Sequence, residues 1–109
     1  MECNARSESG FTVISLQGEV DLHYSPKARE IILKHLNDKQ HVLVDLSSVD
    51  YIDSSGVASL VEGFQHARTH TLKFALVGVS DAAMQILQLS RLDKVFPIYA
   101  GLSDAVSQL

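Results

Sequence analysis

Short apolar runs alternate with stretches in which hydrophobic positions recur every three or four residues, and this alternation organises the chain. Phe11-Thr12-Val13-Ile14-Ser15-Leu16-Gln17 is rich in β-branched and apolar residues and is closed by Gly18, so it reads as a strand. A weaker strand is expected around Glu2 to Ser7, with Ser9-Gly10 as the turn between the two. Ser25-Pro26 offers an N-cap followed by proline at the first helical position. Ala28, Ile31, Ile32, His35 and Leu36 follow at helical spacing, and Asn37-Asp38 ends that element. His41 to Leu46 is a continuous apolar run bounded by polar residues, the pattern of a buried strand.

Beyond Asp53 the period changes. Val57, Leu60, Val61 and Phe64 fall on one arc of a helix, with Ala58, Ser59, Glu62, Gln65 and His66 facing away. Leu72 to Val77 forms another strand, and Ser80-Asp81 caps a helix carrying Ala83, Ile86 and Leu87. Phe96 to Tyr99 gives a last short strand, and Ser103-Asp104 caps a terminal helix ending at Leu109. The order β-β-α-β-α-β-α-β-α implies one α/β domain over residues 1–109, with a mixed, mainly parallel sheet flanked by helices. The first strand, joined by a tight turn, is expected to add an antiparallel edge.

Composition narrows the function. The chain has 109 residues, 46% hydrophobic and 20% charged, with a net charge of −4. There is no basic block or Arg–aromatic stripe, so nucleic acid is not an expected partner. No apolar run approaches the roughly 18 residues that span a bilayer, and no membrane partner is expected. Met1-Glu2-Cys3-Asn4 lacks the basic and apolar segments of a secretion signal, and a lone Cys3 suits a reducing compartment. The expected location is cytoplasmic.

In open α/β sheets the working loops leave the carboxyl ends of parallel strands. Here these are Gly18 to Asp21, Val49 to Gly56 and Gly78 to Asp81, which would bring Asp21, Asp53, Ser54 and Ser55 to one edge. Asp53-Ser54-Ser55-Gly56 lies where a strand hands over to a helix, whose first turn has free N–H groups and can accommodate an anion. A phosphoryl group on Ser54 would add about −1.5 to −2 charges there. The domain would tolerate that charge, but a partner shaped for a neutral hydroxyl would not. The plainer reading is that Asp53, Ser54 or Ser55 merely caps the helix, and the residues alone do not choose between the two serines.

Other chemistries fit less well. The Gly-x-Ser-x-Gly elbow of a serine hydrolase is missing, as are the glycines and lysine of a phosphate-binding loop. His66 and His70 are spaced to chelate a metal, but no His-Glu-x-x-His pattern accompanies them, and no metal or other cofactor is expected. A two-component receiver would need an acidic pair after its first strand and a late lysine beyond the last strand. Lys94 comes before that strand.

Val44-Asp45-Leu46-Ser47-Ser48-Val49-Asp50-Tyr51-Ile52-Asp53-Ser54-Ser55-Gly56-Val57 closely resembles the signature of the STAS domain of bacterial anti-sigma factor antagonists. The resemblance extends to Gly18-Glu19-Val20-Asp21, Leu72 to Val77, Leu89 to Phe96 and Ser103-Asp104-Ala105. It implies a protein that is not an enzyme but a partner switch. Its partners would be an anti-sigma factor serine kinase, which phosphorylates the first serine of Asp-Ser-Ser-Gly and is then released, and a serine phosphatase that resets it. By position the phosphoacceptor is Ser54, with Asp21 beside it, Asp53 shaping the loop, and Ser55 and Gly56 adjoining. The helix reading adds Ala58, Ser59 and Glu62 to the expected partner-binding face. Two alternatives keep the fold: a constitutive adaptor that needs no phosphorylation, and a switch whose output is not a sigma factor. The chain departs from the family pattern in two turns, Arg68-Thr69-His70-Thr71 and Ser90-Arg91-Leu92, where glycine is usual. The first turn must therefore be made otherwise, and at Arg91 a left-handed backbone would be strained for a residue other than glycine, so that loop is expected to be shaped differently.

Overall fold

The computed structural model describes residues 1–109. Five strands form one sheet in the order of the chain: β1 (Glu2–Glu8), β2 (Phe11–Val20), β3 (Val42–Ile52), β4 (Phe74–Val77) and β5 (Ile98–Tyr99). β1 pairs antiparallel with β2, and every other pair is parallel. Ser9 (φ 53°) and Gly10 (φ 85°) both take positive φ, as a two-residue hairpin turn requires.

α1 (Ser25–Asn37), α2 (Ser54–Thr69) and α3 (Asp81–Leu89) connect the parallel strands. Crossovers of one hand between neighbouring strands place all three helices on the same face. There Ile14, Leu16, Val44, Leu46 and Leu76 of the sheet meet Ile32 and Leu36 of α1, Leu60 of α2 and Leu87 of α3. Alternate residues Phe11, Val13, Leu43, Ala75 and Val77 point to the other face, where α4 (Leu102–Gln108) covers them through Ala105. Burial on both faces explains why Phe11 to Leu16 reads as an unbroken buried run. No helix is long and apolar enough to cross a membrane.

The element order, the antiparallel first strand and the parallel remainder agree with the sequence reading; several boundaries do not. β3 runs on to Ile52, absorbing residues expected in a loop, because Gln17 to Val20 continue the parallel ladder with Ser48 to Ile52. β2 likewise passes Gly18, which bends at φ 86° where the register shifts. The fourth strand starts at Phe74, and the fifth shrinks to Ile98–Tyr99, since the Phe96 N–H is bonded back to the Leu92 carbonyl of a 3₁₀ turn (Leu92–Lys94) and Pro97 has no N–H to give. Ser25 is not the cap of α1. It is helical and buried, Tyr24 precedes it, and the turn is closed by Asp21. α4 begins at Leu102 after Gly101 with no side-chain cap, so Ser103-Asp104 lie inside its first turn. Ser80 does cap α3, accepting from the Ala83 N–H while its hydroxyl donates to the Val49 carbonyl.

Both non-glycine turns nevertheless keep the left-handed backbone, against the expectation of a different shape. Thr71 follows α2 at φ 59°, and Arg91 follows α3 at φ 58°. The left-handed region costs a side chain about 1 kcal/mol or more, most for a β-branched residue.

Candidate functional site

The site is built around the start of α2. Asp53 ends the chain's exit from β3 with extended backbone (φ −108°, ψ −174°) and caps the helix. Its Oδ1 accepts from the Ser55 N–H at 3.0 Å, the Gly56 N–H at 3.2 Å and the Ser55 hydroxyl at 2.5 Å. Its Oδ2 accepts from the Leu22 N–H at 3.1 Å, so one carboxylate joins the helix to the turn after β2. The Ser55 hydroxyl bond holds the Asp53 carboxyl below its ordinary pKa, against the opposing effect of partial burial. The N–H groups of Gly56, Ser55 and Leu22 act in the same direction as the hydroxyl.

This geometry separates the two serines. The Ser55 hydroxyl is committed to Asp53 and the residue is half-buried. Ser54 is exposed, and its hydroxyl has no hydrogen bond. It stands at the first position of α2, where unpaired N–H groups favour negative charge.

Gly56 is buried because nothing larger fits. A Cβ there would lie 2.6 Å from the Val20 carbonyl oxygen and 2.7 Å from Ile52 Cγ1. Its contribution is therefore to let α2 approach the ends of β2 and β3, and it offers no surface to a partner. The expectation that Ser59 faces solvent is also corrected. It is 7% exposed, and its hydroxyl donates to the carbonyls of Ser25 and Ser55, pinning α2 to α1. Ala58 is exposed as expected, and Glu62 is half-buried and paired with Arg29 of α1. Val61 and Phe64, assigned to the core arc, are only half-buried. His66 is half-buried and not outward-facing, its ring stacked on His70 at 4.2 Å with no third ligating side chain beside the pair.

Asp21 lies close to the cap, as the topology suggested, but its side chain is used locally. Oδ1 accepts from the N–H groups of His23 and Tyr24, and the Asp21 carbonyl accepts from Ser25. The turn Asp21–Tyr24 is thereby fixed with Leu22 projecting outward.

A groove of about 480 Å³ opens beside Ser54, lined by Val57, Ala58, Val61 and Gln65 of α2 with Ser90 and Leu92 beyond α3. Sequence patterning missed this groove, since Val57 and Val61 look like core and Leu92 belongs to a turn. It also missed Leu22, whose only signal was an apolar residue among Asp21, His23 and Tyr24.

A profile of the STAS domain matches residues 2–105. The chain belongs to the STAS-domain family. The anti-sigma-F factor antagonist RsfB of Mycobacterium tuberculosis is 30% identical over 100 residues, covering 91% of this chain and 81% of that protein. The crystal structure of an anti-sigma factor antagonist from Mycobacterium paratuberculosis superimposes with a TM-score of 0.85 at 27% identity, over 97% of this STAS domain and 91% of the other. The Bacillus cell fate determinant SpoIIAA shares the fold at 19% identity over 98% of this chain. Its unphosphorylated form gives a TM-score of 0.81 over 95% of that chain and its phosphorylated form 0.75 over 98%.

Proposed function

We propose that this STAS domain is an anti-sigma factor antagonist that works by partner switching in the cytoplasm. Unmodified, it binds an anti-sigma serine kinase. Phosphorylation of Ser54 ends the binding, and a serine phosphatase restores it. The observation that carries this reading is the contrast between the free, exposed Ser54 hydroxyl and the Ser55 hydroxyl tied to Asp53. The names of its relatives support the same role. No base of this chain stands within hydrogen-bond reach of Ser54, so its hydroxyl is not activated here and attacks a phosphoryl group only when the kinase supplies the base.

The partner face then comprises Ser54, Ala58 and Glu62 along the groove, with Asp21, Asp53 and Ser55 shaping its edge. Glu62→Lys, which loses its Arg29 partner and reverses charge on the groove wall, should weaken kinase binding. Unchanged affinity would remove Glu62 from the face.

The deciding experiment is affinity capture from lysate of the source cells with Ser54→Ala and Ser54→Asp as baits. The alanine bait should retain a serine kinase that the aspartate bait loses. Retention of the same protein by both would favour a constitutive adaptor.

A further inference from the structure

The chain leaves five large apolar side chains exposed, and all five stand within about three residues, along the sequence, of one that the site or the groove uses. Leu22, Tyr24 and Tyr51 lie in the segments flanking Asp53, while Leu89 and Val95 flank the Ser90–Leu92 wall of the groove. None lies on β1, on α4 or on the outer turns of α1. A single exposed leucine is ordinary on a protein surface. Leu22 differs in the rigidity of its backbone: its N–H is held by Asp53, and the next three N–H groups are held by Asp21. At 75% exposed, its side chain is presented on a turn whose successive N–H groups are already paired, which reduces the backbone ordering that binding would cost.

The charge around it is one-sided. The C-terminal halves of β2 and β3, the loops beyond β2, β3 and β4 and the first residue of α3 carry Glu19, Asp21, Asp50, Asp53 and Asp81, with no lysine or arginine; cations follow along the chain at Lys27 and Arg29 of α1 and at Arg91 beyond α3. A protein surface docking here gains from cations at its rim.

We infer that Leu22 is the anchor residue of the complex, seated in an apolar pocket of the anti-sigma kinase that is rimmed by basic side chains. This rests on the partner-switching reading, and it divides the labour within it. Leu22 supplies affinity and selects the partner, while Ser54 carries the veto. A phosphate adds negative charge to an edge that is already negative, so attraction to the basic rim persists. Release then comes from bulk and desolvation at the Ser54 contact.

The test uses the kinase captured by the wild-type chain, purified, with affinities measured for wild type, Leu22→Ala, Leu22→Met and Ser54→Asp at two salt concentrations. Leu22→Ala should bind about tenfold more weakly, the scale of a central anchor truncation. Leu22→Met should bind within about twofold of wild type, since it keeps volume and apolarity. Phosphorylation of Leu22→Ala should show a raised KM at unchanged kcat, because the geometry of Ser54 is untouched. Binding of the wild type should weaken with salt. Leu22→Ala within about threefold of wild type, or binding indifferent to salt, overturns the inference, and loss of binding by Ser54→Asp in the same series leaves the switch standing. Ser54→Asp binding as tightly as wild type overturns the switch and this inference with it.

Discussion

Asp53 serves two structural ends with one carboxylate, and its substitution should reveal both. Asp53→Ala is expected to lose about 1–2 kcal/mol in urea denaturation, the range for removing a helix cap. It should also deprotect the Leu22 amide in hydrogen exchange, because the bond from Leu22 crosses between elements. The pH dependence follows from the lowered pKa of Asp53. A carboxyl whose folded pKa is depressed contributes stability that is fully present above its unfolded value, near 4, and is lost as pH falls through the lower folded value. The gap between the urea midpoints of wild type and Asp53→Asn should therefore be constant above about pH 5 and close in acid. Gly56→Ala should cost about 1–3 kcal/mol, since its Cβ would meet a backbone carbonyl that cannot move aside. Ser54→Asp should instead leave the fold as stable as before or raise it by about 0.3–1 kcal/mol, because an anion suits the first turn of a helix. A clear loss of stability in that variant would mean that modification acts on the fold itself.

At the level of elements, what was legible is what a segment's own pattern decides. The apolar runs of β2 and the first half of β3 declared themselves because helices cover both their faces. The second half of β3 did not, because Ser47, Ser48, Asp50 and Tyr51 are exposed there and only the ladder to β2 makes them a strand. Ser59 was misread for a related reason. A hydroxyl on a helix looks polar, and only the packing of α1 supplies the Ser25 carbonyl that lets it be buried. Asp53-Ser54-Ser55-Gly56 was visible as a motif, but its local roles emerged only from geometry. The two strained turns were visible as departures from glycine, and they give a direct prediction. Arg91→Gly should relieve the left-handed backbone at φ 58° and raise stability by about 1 kcal/mol, read as a shift of the urea midpoint with an unchanged slope. Thr71→Gly should do at least as well, since a β-branched residue is the worse occupant of that region.

Across the whole molecule, the candidate site is gathered at one end. The carboxyl ends of the parallel strands hold the cap, the free serine, the acidic rim and Leu22, and the groove extends that surface along α2. The Arg29–Glu62 pair ties α1 to α2 behind the groove. Both of its side chains are about half exposed, so its removal by Arg29→Ala should change stability by less than about 1 kcal/mol. The opposite face of the sheet depends on the seven residues of α4. The five-stranded ladder and the face packed by α1, α2 and α3 do not include α4. Whenever Leu102–Gln108 lifts away, Phe11, Val13, Leu43, Ala75 and Val77 become an open apolar sheet face. The detachment of one short helix is thus enough to turn a folded domain into a flat, sticky surface of the kind that chaperones shield.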